Sequence, residues 1–317
     1  MVIVSVSLGG AVWSLRAMER QLLSAERTGL VPSGRQDARA AVEFHYAMCY
    51  PAWMPHRTAN EIVASLDAPG ADFDDPGLTD QVRRRAQANP WVECVREVTR
   101  ELTDDGGVGI VTVRCEFRWP VARLVLCRDL AGMDENTVYL DAHGVRLPAS
   151  QAPKYEAWTR TSADAAPRWR PYVWREDIPA GAAVRAIHYP SIRGAAGDPP
   201  PEGQRWTDGD VTAGLRLAAL VADRPYADQI TMLDVRNYDG RISPREPHLR
   251  MWAQAGRDRP TDIRFGRFPR PGGDDYVVSP ERKLSYLDEY VRLNGGRLGG
   301  LHRYVELQYD QGYASLD

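Results

Sequence analysis

Lysine is almost missing from this 317-residue chain: of its 40 basic residues, only Lys154 and Lys283 are lysine. A bias of that size reads as a coding preference before it reads as function. Cysteine is scarce as well. Cys49, Cys94, Cys115 and Cys127 form no CxxC, and the six histidines form no HExxH, so zinc-site spacing is absent. Isolated thiols of this kind read as buried or half-buried residues. Positive charge is not in excess: the net charge of −3 leaves no global basic footprint for nucleic acid. GxSxG, P-loop, GxGxxG and kinase motifs are missing too. Without a catalytic constellation the expectation is a binding or scaffolding protein, not an enzyme, with no cofactor and no metal.

A full-length hydrophobic span is also lacking. Val2–Leu15 is uncharged and apolar but shorter than the ~20 residues that cross a bilayer. It reads as the outer part of a membrane anchor whose start lies upstream. Arg16, Arg20 and Arg27 follow it and no basic residue precedes it, the wrong way round for an exported C-terminal part unless an upstream basic tail is restored. The other reading is a buried strand or helix of a cytosolic protein.

What is present is globular. At 43% hydrophobic and 26% charged, the chain has the means to build a core, and its length suits two domains. Residues 16–40 read as a polar connector. Ala41–Met48 reads as a strand. A helix follows from Thr58, with Ile62, Val63 and Leu66 on one side. A second runs from Gly77 to about Ala88 with Leu78, Val82 and Ala86 on one face, and Arg83–Arg85 is a solvated face. Pro90 ends it. Trp91 and Val92 open a β run to Leu102, residues 103–107 turn, and Val111, Val113, Cys115 and Phe117 alternate in the clearest strand of the chain. Pro120, with no N–H, is expected to stop pairing there.

Val138–Leu140 and Val145–Leu147 flank an Asp-Ala-His-Gly turn. Residues 149–209, rich in Pro, Trp and Arg, are expected to be irregular, with a short strand near Ile187–Ile192. Asp210 is expected to cap a helix from Val211 to about Ala222. Ile230–Val235, Leu249–Ala253 and Ile263–Phe268 read as strands. Ser279 and Pro280 suit the N-cap and first position of a helix that Asn294-Gly295-Gly296 stops, with Glu281 and Lys283 read as surface charge on its first turn. Tyr304–Tyr309 is a last alternating strand.

Several of these stretches resemble one family. Asn89-Pro90-Trp91-Val92 with Val95 and Val98 is similar to the start of the second POTRA strand in the bacterial cell-division proteins FtsQ/DivIB. Glu116-Phe117-Arg118-Trp119-Pro120-Val121-Ala122 resembles that family's E-x-R-x-P-V-A exit from the POTRA domain. Phe265-Gly266-Arg267, Lys283-Leu284 with Leu287, and Glu306–Ala314 resemble its "L-G-R" strand, "K-L..L" helix and terminal "D-L-R-Y-x-x-G-x-A" strand. Gln308 stands where the family usually has Arg, and the 149–209 stretch is long for a member.

The resemblance implies an α+β protein: an N-terminal anchor and linker (1–35), a POTRA-like β-α-α-β-β domain (36–122), and a mixed or antiparallel β domain with flanking helices (123–317), carrying an insertion near 149–209. It implies a single-pass inner-membrane protein with its bulk on the periplasmic side. Such a protein is a divisome scaffold that binds FtsL–FtsB-type coiled-coil proteins and helps regulate septal cell-wall synthesis. In an oxidising compartment Cys94 and Cys115 would be placed to pair if the hairpin turned between Asp104 and Asp105. A partner strand adding along Tyr304–Ala314 would use Tyr309 as aromatic anchor, with Gln308, Gln311 and Gly312 beside it and Arg241 in a neighbouring strand region. The alternatives are a POTRA-containing export or outer-membrane assembly factor, and a glycan-binding or glycan-hydrolysing envelope protein using Glu176 and Asp177.

Overall fold

A computed structural model describes residues 43–317 except 52, 68–69, 104–107, 127–136, 160–167, 255–258, 271–276, 311–312 and 315–317. The expected anchor, Cys127, Gln311 and Gly312 lie outside the described residues. Among the described residues no helix is long and apolar enough to cross a membrane. The fold is α+β.

The first part runs strand, helix, helix, strand, strand: β1 (Glu43–Cys49), α1 (His56–Leu66), α2 (Leu78–Ala88), β2 (Val92–Leu102) and β3 (Val108–Phe117). β3 is the central strand, parallel to β1 and antiparallel to β2. The alternation read in the sequence explains its place: Val111 and Val113 face α1 and α2 and pack with Leu66, Leu78, Val82 and Ala86. The hairpin register departs from the expected one. Leu102 pairs with Gly109, two residues from the expected register, and the irregularity between Val95 and Glu97 then sets Val95 opposite Cys115 and Cys94 opposite Glu116. Neighbouring residues of a strand point to opposite faces, so the two thiols do not meet, and both are free. The register beside the turn separates the two cysteines, and the bulge in β2 puts them on opposite faces; neither is visible in a count of residues from a turn.

The second part is a nine-stranded sheet ordered β15-β14-β13-β12-β11-β10-β4-β5-β6. Its strands are β4 (Pro120–Val125), β5 (Thr137–Asp141), β6 (Arg146–Leu147), β10 (Ser191–Arg193), β11 (Ile230–Asp234), β12 (Leu249–Ala253), β13 (Thr261–Gly266), β14 (Tyr304–Glu306) and β15 (Tyr313–Ala314). Pro120 does not stop pairing; it is the first residue of β4, opposite Asp141 and next to a register shift, a position where a missing N–H is tolerated. The 149–209 stretch is not irregular throughout. It holds a small antiparallel sheet, β8-β7-β9, of β7 (Tyr155–Thr159), β8 (Arg168–Tyr172) and β9 (Val184–Ala186). It then supplies β10, a central strand parallel to both β4 and β11.

Helices α3 (Gly209–Val221) and α4 (Pro280–Leu293) share one core with this sheet. Gly214 lets α3 approach closely: a Cβ there would lie 3.0 Å from Ile192 and 3.2 Å from Val235. Asp208, not Asp210, holds the N-cap position. Asp210 is buried in the first turn, where its carboxylate accepts the N–H of Ala196 (2.9 Å).

The two sheets meet at Trp91. Its ring is buried in a cluster with Met48 and Ile62 from the first part and Tyr139, Leu147 and Tyr189 from the second. Its indole N–H donates to Gln151 Oε1 (2.6 Å), and the Gln151 amide donates to Glu61. A second tie is the ion pair of Arg118 and Asp141 (2.6 Å), with the aspartate side chain 4% exposed. The free Asp141 oxygen accepts the N–H groups of His143 and Val145 and so shapes the β5–β6 turn. Trp91→Ala removes the largest side chain at this joint and is expected to cost about 3 to 5 kcal/mol, read as a lowered urea midpoint; a change under about 1 kcal/mol would remove Trp91 from the joint.

Candidate functional site at the sheet edge

Helix α4 organises the C-terminal end of the sheet. Ser279 caps it, its hydroxyl accepting the N–H of Arg282, with Pro280 at the first position, as the sequence predicts. Leu284, Leu287 and Val291 turn inward. Lys283 does the same, contrary to its expected place on the surface. It is 1% exposed, and its ammonium donates to the carbonyls of Phe265 (2.7 Å) and Arg267 (2.9 Å) and sits over the Phe265 ring. The signal was present in the sequence: Lys283 shares the i, i+4, i+8 stripe of Leu287 and Val291. Gly266, between the two carbonyls, has φ +80°, and a Cβ there would lie 2.8 Å from Gln308 Cγ. Glycine is therefore required both for the turn and for Gln308 to lie across it.

The opposite face of β12–β14 carries charge. Arg264 stacks on Tyr304 (4.0 Å) and reaches Asp262 (3.3 Å) and Glu306 (3.6 Å), while Arg250 reaches Asp262 and Glu246. Asp262 Oδ1 is buried with no partner among the described residues.

Beyond Glu306 the expected strand breaks. Leu307 still donates to the Arg264 carbonyl, but Gln308, Tyr309 and Asp310 bend away before β15 pairs back on β14. The turn is fixed by side chains: Gln308 N–H donates to Glu306 Oε1 (3.1 Å), Arg282 pairs with Asp310 (2.8 Å), and the Tyr286 hydroxyl bonds the Asp310 carbonyl. β14 is thus an inner strand and cannot receive a partner; the free edge belongs to β15. Tyr309 is 61% exposed beside it and Gln308 is half-buried.

Arg241 does not join them. It lies in a turn past the ends of β10 and β11, where it pairs with Asp210 (2.7 Å) and donates to the carbonyls of Gly194, Val235 and Arg236. Glu176 and Asp177 are exposed neighbours in one 3-10 turn. Two consecutive residues of a turn do not face each other across a cleft, the arrangement glycoside cleavage requires.

The two ends of the nine-stranded sheet differ. At the far end Arg146 of β6 exchanges backbone bonds with the segment beyond it: its N–H donates to Gln204 (3.0 Å) and its carbonyl accepts from Gly203 (2.8 Å). At the near end β15 has no strand outside it among the described residues. No family model and no curated protein matches this chain.

Burial pushes the Lys283 ammonium down from 10.5 to about 8, with Arg267 adding to the effect. The folded protein then holds fewer protons than the unfolded chain between those values, so this group makes stability rise with pH across that window. Cys115, pushed up by burial to about 11, opposes it. The expected result is a wild-type stability, relative to Lys283→Met, that increases from pH 8 to pH 10 in urea titrations; a constant difference would mean the ammonium is not buried in solution.

Proposed function

We propose that this protein is a non-enzymatic scaffold that binds an extended segment of a partner by strand addition at β15. The asymmetry of the sheet among the described residues carries the reading: one end is closed by its own chain, and the other leaves a strand edge with an exposed tyrosine beside it. Backbone groups on such an edge supply affinity, and neighbouring side chains supply choice. The residue patterns shared with FtsQ/DivIB proteins, and a strand-helix-helix-strand-strand first part that suits a POTRA domain, support a divisome role. The partner is then an FtsL–FtsB-type pair, with the N-terminal stretch as the anchor in the inner membrane and septal wall synthesis as the regulated process.

Tyr309 is mostly exposed, so Tyr309→Ala is expected to leave the melting temperature within a degree or two and to weaken the partner. An aromatic anchor contributes about 2 kcal/mol or more, roughly thirtyfold in affinity. The measurement is capture of extracytoplasmic FtsL–FtsB segments from the same organism by the wild-type chain and by Tyr309→Ala. Equal capture by both would remove Tyr309 from the site, and no capture by a folded wild-type chain would remove this partner.

A further inference from the structure

We infer that the cleft between α3 and the ends of β12 and β13 is a binding site for a compact organic anion, a carboxylate or phosphate group carried on an apolar body. The cleft has a volume of about 440 Å³, within the range of small-ligand sites. Its floor is apolar, formed by Ala213, Leu249 and Phe268. Among the described residues its rim carries Arg216, Arg267 and Arg270 and one acid, Asp239, which pairs with Arg270; Arg267 has an interaction of its own. Three arginines thus meet in one concave place of a protein whose overall charge is −3.

Arg216 is the feature that points to a ligand. Its guanidinium lies over the Phe268 ring, with Cζ 4.3 Å from the centroid. Stacking fixes the plane but occupies none of the N–H groups. Among the described residues Arg216 has no hydrogen bond or ion pair, so its donors stay available on a side chain already held in place. A planar fork of that kind matches the two oxygens of a carboxylate or phosphate. The second cleft, bordered by Arg236 and Arg241, contrasts with it. There Arg236 and Arg241 are spent on Asp234 and Asp210, and Arg193, which also lines it, has no ring to hold it among the described residues.

His248 lines the same cleft. Burial and the nearby Arg267 and Arg270 hold its imidazole below its ordinary pKa, with Asp239 acting the other way. It is neutral at pH 7 and reports on the field. An anion seated beside it would offset the arginines and favour the protonated ring.

This inference is independent of the edge-strand reading, and so is its test. The full chain is titrated by calorimetry with inorganic phosphate, phenyl phosphate, phenylacetate and, as neutral control, benzyl alcohol. The His248 pKa is followed by NMR with histidine labelling. Saturable binding of the two aromatic anions is expected, each tighter than inorganic phosphate, with an upward shift of the His248 pKa and none with benzyl alcohol. The tighter of the two identifies the head group. Arg216→Ala is expected to weaken binding by about tenfold or more, the loss of a charge-assisted contact. Arg84→Ala, which removes an exposed charge on α2, is expected to change nothing. The inference is overturned if no anion saturates, if inorganic phosphate binds as tightly as the aromatic anions, or if Arg216→Ala and Arg84→Ala behave alike.

Discussion

A single buried ammonium fixes the C-terminal half of this protein. Lys283 reaches from α4 to two carbonyls on either side of Gly266, at the point where β13 leaves the sheet. Removing an ammonium from water costs several kcal/mol unless polar groups replace the water. Two carbonyls and the Phe265 ring do so here. At a pKa of about 8 the group is still mostly charged at pH 7. A neutral amine would keep its donors, so both contacts survive deprotonation; what changes is only the charge that must be accommodated. The arrangement sets two surfaces at once. On one side the carbonyl it holds belongs to Arg267, next to Phe268 on the floor of the basic cleft. On the other, the turn at Gly266 seats Gln308, the residue before the exposed Tyr309.

The joint at Trp91 makes the two sheets one body in a comparable way. Tyr139 and Leu140 are neighbours on β5, yet Leu140 belongs to the core under α3 and Tyr139 to the cluster around Trp91. Strand alternation alone produces this, since β5 is covered on both faces. The Arg118–Asp141 pair lies at the same crossing, on the connection between β3 and β4. An ion pair with one nearly buried partner adds less to stability than to geometry. Its Asp141 end also holds two backbone N–H groups, so the pair fixes how β4 enters the second sheet.

The sequence made local elements legible and long-range ones not. Helices α1, α2 and α4 follow from apolar spacing, a proline stop and a serine cap, all short-range signals. β10 is legible only in part: a short strand is expected near Ile187–Ile192, and Ser191–Arg193 forms one. It is three residues long in a Pro-rich stretch, and its place in the middle of the sheet comes from β4 and β11, strands distant in the chain. Cys94 and Cys115 are kept apart for a similar reason: the hairpin closes two residues from the simplest register, and a bulge in β2 then shifts it by one more residue, which reverses the face. Lys283 reads as surface charge from its residue type, and only its place on the apolar stripe marks it as buried. At the edge, the alternation of Tyr304–Tyr309 promised one long strand. The hydrogen bond from Gln308 N–H to Glu306 and the pairing of Arg282 with Asp310 impose a bend that periodicity does not encode.

That bend bears on how the edge can be used. A long flat edge strand invites pairing with any chain, and proteins keep edges short to prevent it. β15 is short, and the segment leading to it is held by α4 through Arg282 and Tyr286. So short a ladder offers little affinity and little selectivity by itself. The proposed strand addition would therefore draw on side chains next to the ladder, and among the described ones Tyr309 is large and exposed there. The same logic separates the two surfaces of this half of the molecule. The edge suits a chain that brings its own backbone, whereas the basic cleft, with stacked Arg216 over an apolar floor, suits a ligand that brings charge and little else.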